Sequence, residues 1–94
     1  MLEQRAWRSL DARLDNWANA NRGTYDAIDA ARIERAWQRL ATRERDVLRM
    51  VYLWHAGREV VCRRLKIPRH PWCRYEFELA SAKQALASSL ARTS

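Results

Sequence analysis

Six basic side chains lie between Arg58 and Arg74, where Glu59 is the one carboxylate. Arginine binds phosphate oxygens through a planar fork of donors, and lysine binds them as a point charge. This segment predicts contact with nucleic acid, with an ordinary solvated face as the alternative. The candidate DNA-binding residues are Arg58, Arg63, Arg64, Lys66, Arg69, His70, Trp72 and Arg74.

Two kinds of contact are expected within this set. Arg63, Arg64 and Lys66 are expected to meet phosphates, which supply affinity and make it depend on salt. Arg69, His70 and Arg74 are expected to reach base edges, where an arginine discriminates guanine.

Histidine and cysteine are the other residue types here that could bind a metal or catalyse a reaction. They occur in the order His55, Cys62, His70 and Cys73, with gaps of six, seven and two residues. This spacing is unlike that of a zinc finger, and neither histidine has a carboxylate and a nucleophile at a suggestive distance in sequence. The two glycines stand far apart, so a glycine-rich phosphate loop is absent. The sequence therefore predicts no catalytic residue, no metal, no cofactor and no enzyme activity.

Helices must position these side chains, because two Pro and two Gly in 94 residues impose few breaks. Apolar residues recur at three- and four-residue steps, and no stretch alternates as a strand would. The fold class is therefore all-α, with four to five helices and a long last one. The predicted helices are Leu2–Ala20, a second capped by Thr24 or Asp26 and reaching Leu40, a third capped by Thr42 and stopping at His55–Gly57, Arg58–Leu65, and a last from Pro71 to the C-terminus.

Apolar stripes on these helices predict the core. The stripe of the second helix is Ile28, Ile33, Ala36, Trp37 and Leu40. The stripe of the third is Val47, Leu48, Val51, Tyr52 and Trp54. The stripe of the last helix, Leu79, Ala82, Leu86 and Leu90, either packs back on the first helix or forms the seam of a homodimer.

The length of 94 residues allows one domain, residues 1–94. Residues 1–41 carry a net charge of +1 and residues 42–94 one of +6, so the first part is expected to support a DNA-binding second part. The chain shows neither the apolar core of a signal peptide nor the ~20 apolar residues that cross a bilayer. A cytoplasmic protein with no membrane partner is expected.

The segment from Glu59 to Ile67 suits the first helix and turn of a helix-turn-helix. Val61 and Leu65 would face inward, Cys62 is the small residue where the helices cross, and Ile67 closes the turn. The residues that open the next helix would then meet DNA.

Two segments of the chain resemble a known family. Thr42–Tyr52 is similar to the "x-R-E-R-x-V-L-x-L-x-Y" opening of region 4, the C-terminal DNA-binding region of bacterial sigma-70 factors. Glu59–Ile67 is similar to that region's "E-x-[IV]-A-x-x-L-G-I", with Cys62 at the alanine position. Lys66 stands where that family has a turn glycine, and Pro68 where it has a capping serine.

Residues 5–90 resemble small phage and prophage late-gene antiterminators of the Q-like group. The likeness rests on Asp29–Leu40, similar to "D-A-x-x-[IV]-x-x-A-W-x-x-L", and on Cys62–Arg69, similar to "C-R-R-L-x-I-P-R". It implies a transcription regulator that binds DNA and contacts host RNA polymerase. The alternatives are a module that binds polymerase or another protein without reading DNA, and an oligomeric packaging protein such as a small terminase subunit.

Overall fold

The computed structural model describes residues 9–19, 26–68 and 74–93. Every regular element within these ranges is helical, which confirms the all-α prediction. The predicted Leu2 start, the Thr24 cap and the Pro71 start lie outside the described residues. None of the described helices is long and apolar enough to cross a membrane. The elements are α1 (Leu10–Ala18), α2 (Ala27–Gln38), α3 (Thr42–Leu48), a π-helical segment (Arg49–Leu53), α4 (Arg58–Leu65) and α5 (Arg74–Thr93).

Polar side chains hold α1 against the start of α2. Asn16 is buried, and its amide donates to the Asp26 carbonyl and accepts from the Asp26 N–H, both at 2.8 Å. The Asp26 carboxylate caps α2 by accepting from the Asp29 N–H at 3.0 Å. Arg13 donates to the Asp29 carboxylate, 2.7 Å at its shortest. Both the nitrogen and the oxygen of the buried amide thus have a partner, as a buried polar group requires.

One apolar cluster joins α1, α2, α3 and α5. Leu14, Leu48 and Leu86 have no exposed area in it. Buried Ser89 on α5 donates its hydroxyl to the Ala36 carbonyl of α2 at 3.1 Å. The α5 stripe therefore packs inside the domain, mainly on α2 and α3 rather than on α1. Ala82 and Leu86 are buried there and so are not available to a second copy of the chain.

Two residues predicted to face the core are exposed. Ile28 is 71% exposed, because it lies five residues before Ile33, whereas buried Ala30 lies three before it. Trp54 is 53% exposed, and the cause is the π-helical segment before it. A π turn holds about one residue more than an α turn and so rotates the next residues of the chain by about 100° around the helix.

The start of the third helix differs from the prediction, whereas its end at His55 agrees with it. Thr42 is the first helical residue and not the cap, because Ala41 is already extended and occupies the cap position. Glu44 closes this end by accepting from the Ala41 N–H at 3.1 Å. The α-helix stops at Leu48 and continues as the π-helical segment, and His55 ends it in the left-handed conformation with a φ of 53°.

Three side chains join α1, the π-helical segment and α5 in one polar cluster. Lys83 of α5 pairs with the Asp11 carboxylate, and the Tyr52 hydroxyl donates to the same carboxylate at 3.1 Å. The hydrogen bond from Lys83 lowers the pKa of Asp11. Burial, followed by the negative charge of Asp11, raises the pKa of Tyr52 to about 12.

We expect stability to fall as pH rises from about 10 to about 12 through Tyr52. The unfolded chain ionises this phenol near its ordinary pKa of 10.0, whereas the folded chain keeps it neutral to about 12. Its contribution is therefore fully present below pH 10 and lost across that window. Absorbance titration at alkaline pH should show a late tyrosine step that Tyr52→Phe removes and Asp11→Asn moves to lower pH. If the Tyr52 step stayed at the same pH in Asp11→Asn, the negative charge of Asp11 would not be raising the pKa of Tyr52.

Candidate nucleic-acid interface

A small apolar cluster anchors α4 to the rest of the molecule. Met50, Val61 and Ile67 are buried in it, at 2%, 0% and 4% exposure. The partly buried side chains around them are Val51, Ala56, Cys62, Leu65 and Tyr75. The inward positions of Val61 and Ile67 confirm the prediction for α4. Because Tyr75 belongs to α5, this cluster links the two helices that the sequence assigned to DNA binding.

The chain leaves α4 through a left-handed residue. Lys66 has a φ of 57° and a ψ of 43°, a left-handed conformation that glycine adopts without steric cost. The next residue, Ile67, donates its N–H to the Cys62 carbonyl at 2.9 Å. This bond satisfies the end of the helix, as in other left-handed caps. A lysine holds this position at a steric cost that a glycine would not have.

Lys66→Gly is expected to raise the free energy of unfolding by about 1 kcal/mol, because glycine adopts the left-handed conformation without strain. Lys66→Ala is the matched control, since it removes the same charge and keeps the strain. Urea denaturation followed by circular dichroism measures both. A Lys66→Gly protein no more stable than Lys66→Ala would show that the left-handed backbone is not strained.

Three of the sequence-predicted cations, Arg63, Arg64 and Lys66, are exposed at the C-terminal end of α4, and together they are called the basic face here. Arg64 stacks over the exposed ring of Trp54, with its guanidinium carbon 5.7 Å from the ring centroid. Within the described residues, neither Arg63 nor Lys66 forms an ion pair. Their charges are therefore available to an anionic partner.

Arg58 is oriented differently from this basic face. It makes a bidentate ion pair with Glu76 of α5, with one contact at 2.6 Å, and lies 4.8 Å from the ring centroid of Tyr75. The hydrogen bond from Arg58 lowers the pKa of Glu76. Arg58 thus bridges α4 and α5, a contact that the sequence pattern did not predict.

Glu78, the other carboxylate near the start of α5, also pairs with an arginine of another helix. Arg43 of α3 donates to Glu78 at 3.1 Å and to the Leu65 carbonyl at the end of α4 at 2.8 Å. Arg74 approaches the same carboxylate at 3.6 Å. Arginine side chains therefore offset the negative charges of Glu76 and Glu78, which reduces the repulsion between these carboxylates and a phosphate backbone.

The remaining candidates, Arg69, His70 and Trp72, lie outside the described residues, as does Cys73. Among the residues that are described, no three His, Cys, Asp or Glu side chains are grouped so as to hold a metal ion. The described candidates occupy three settings: the basic face of α4, the Arg58 link between the helices, and Arg74 on the first turn of α5.

Two aromatic residues beside these candidates were not predicted as site residues. Trp54 was expected in the core, but it follows the π-helical segment, is exposed and lies next to Arg64. Phe77 lies one turn along α5 from Arg74, whose guanidinium carbon is 5.9 Å from its ring centroid. A signal for Phe77 was present, because it falls outside the stripe that begins with Leu79. Comparison of the chain with protein-family models, with curated proteins and with solved structures finds no match.

Proposed function

We propose that this protein is a DNA-binding transcription regulator of the phage antiterminator type. The observation that carries the proposal is the basic face of Arg63, Arg64 and Lys66. It lies on a helix joined to α5 by an apolar cluster and by the Arg58–Glu76 pair. An exposed set of cations on a helix that contacts α5 in this way is suited to a phosphate backbone. The resemblance to sigma region 4 supports the same interpretation.

In this proposal α4 and α5 act as a helix-turn-helix. The basic face of α4 contacts phosphates and sets the position on the duplex, while the start of α5 enters the major groove. Arg74 reaches base edges from the first described turn of α5, together with the sequence-predicted Arg69 and His70, and Trp72 also contacts the DNA. Contact with host RNA polymerase and an antitermination role belong to the proposal through the resemblance alone.

A second candidate function is a protein-interaction module that binds RNA polymerase without reading DNA. The exposed apolar side chains near the basic face favour it: Leu53 is 37%, Trp54 53% and Val60 39% exposed. Exposed Trp and Arg are the residue types that most often dominate protein interfaces. Salt separates the two functions, because phosphate contacts weaken steeply with salt and apolar docking does not.

The test is DNA binding by fluorescence anisotropy at about 50 and 200 mM salt, a range over which six to ten phosphate contacts change affinity by ~10³ or more. We expect a preferred duplex sequence to emerge from selection and Arg69→Ala with Arg74→Ala to abolish that preference while retaining the helical circular dichroism spectrum. Specific affinity that survives this change would refute the assignment of α5 as the reader. Absence of any salt-dependent DNA binding would refute the function.

The polymerase part is tested separately, by capture of purified RNA polymerase on the immobilised protein with and without promoter DNA. Capture that requires DNA supports the DNA-reading regulator, and capture without DNA supports the second candidate. Failure to capture polymerase under either condition would remove polymerase from the proposal and leave DNA as the partner.

A further inference from the structure

An exposed phenyl ring stands in the first turn of α5. Phe77 is 62% exposed, and Arg74, three residues earlier, lies over its ring. Of the carboxylates on either side, Glu76 pairs with Arg58 of α4, and Glu78 pairs with Arg43 of α3 and with Arg74 itself. Phe77 and Arg74 therefore share the face of α5 that turns away from the core.

Only thymine among the four bases presents a methyl group in the major groove, and phenylalanine is one of the side chains that contact it. In a helix-turn-helix, the residues that read bases lie at the start of the second helix. Resting on the proposed function, we infer that Phe77 contacts a thymine C5-methyl group and so selects thymine at one position of the DNA site.

The spacing of the pair adds a geometric expectation. Residues three apart on a helix are about 4.5 Å apart along its axis, and neighbouring base pairs are about 3.4 Å apart. Arg74, reading guanine, and Phe77, reading thymine, thus address bases within about two steps of each other. Exposure of an apolar side chain does not by itself indicate a DNA contact. Ile28, which is exposed on α2, therefore serves as the control residue for Phe77.

The experiment replaces thymine by deoxyuridine, which removes the methyl group and changes no hydrogen bond. A preferred site is first selected from random duplexes with the wild-type protein, and each thymine is then replaced singly. At one position the replacement should weaken wild-type binding about fourfold, the worth of one buried methyl group. Phe77→Ala should show less than about a 1.5-fold effect there, Phe77→Leu should retain most of it, and Ile28→Ala should behave as wild type.

Deoxyuridine without effect at every position would overturn the inference, and so would an equal loss in the wild type and Phe77→Ala. In both cases a selected site would still exist, so the DNA-binding function would stand. If the protein bound no DNA, the inference and the proposed function would fall together.

Discussion

Replacement of Arg63, Arg64 and Lys66 by glutamine is expected to lower DNA affinity about 500-fold at ~0.1 M salt. Each phosphate contact contributes about 0.9 to the slope of log affinity against log salt, so three contribute about 2.7 log units between ~1 M and ~0.1 M. The salt slope should fall by the same amount. The three side chains are exposed, so the fold should persist. Anisotropy titrations over a salt series measure both quantities.

The matched control neutralises three exposed cations of the other half, Arg32, Arg35 and Arg39. Both triple variants lower the net charge from +7 to +4, so they differ only in where the charge is removed. Exposed charges more than about 10 Å from a phosphate are largely screened at ~0.1 M salt, and the control should lose little affinity. Equal losses in the two variants would show that net charge governs binding and that α4 is not the contact surface.

The position of α4 could be predicted because the necessary signals are local. Apolar Val61 and Leu65 recur at a helical step, and the observed bounds Arg58–Leu65 are those predicted. The burial of Ile67 followed from the same segment. The Asp26 cap was likewise one of two alternatives that a short sequence window offered. Patterns within one turn or one helix were therefore enough to predict the all-α fold class, the bounds of α4 and the cap of α2.

The partners of the cations could not be predicted, because they depend on tertiary placement. Arg58 pairs with Glu76, 18 residues away, and Arg43 with Glu78, 35 residues away. Sequence charge alone placed Arg58 among the candidate DNA-binding residues, whereas in the fold it pairs with Glu76 of another helix. The π-helical segment is the other feature that could not be predicted, because one extra residue in a turn does not change the composition of the segment. Trp54, which follows it, is exposed although the sequence stripe placed it in the core.

Ile67→Ala is expected to lower the free energy of unfolding by about 2 to 4 kcal/mol, because it leaves a cavity between α4 and its supports. Ile67 is only 4% exposed and belongs with Met50 and Val61 to the cluster that anchors α4. The free energy of unfolding of a domain is about 5 to 15 kcal/mol in all, so this loss is a large fraction of it. Urea denaturation gives the total loss, and hydrogen exchange of α4 amides shows whether α4 opens first.

Ile28→Ala is the control for this cavity, because it makes the same chemical change at a side chain that is 71% exposed. Its effect should stay within about 0.5 kcal/mol, as for other surface substitutions. If Ile67→Ala cost no more than Ile28→Ala, the small cluster would not hold α4 in place. Faster exchange confined to α4 in Ile67→Ala would instead show that this helix can detach while the larger core of α1, α2, α3 and α5 persists. DNA affinity should then fall with the population of attached α4, because the basic face acts only when it is held against α5.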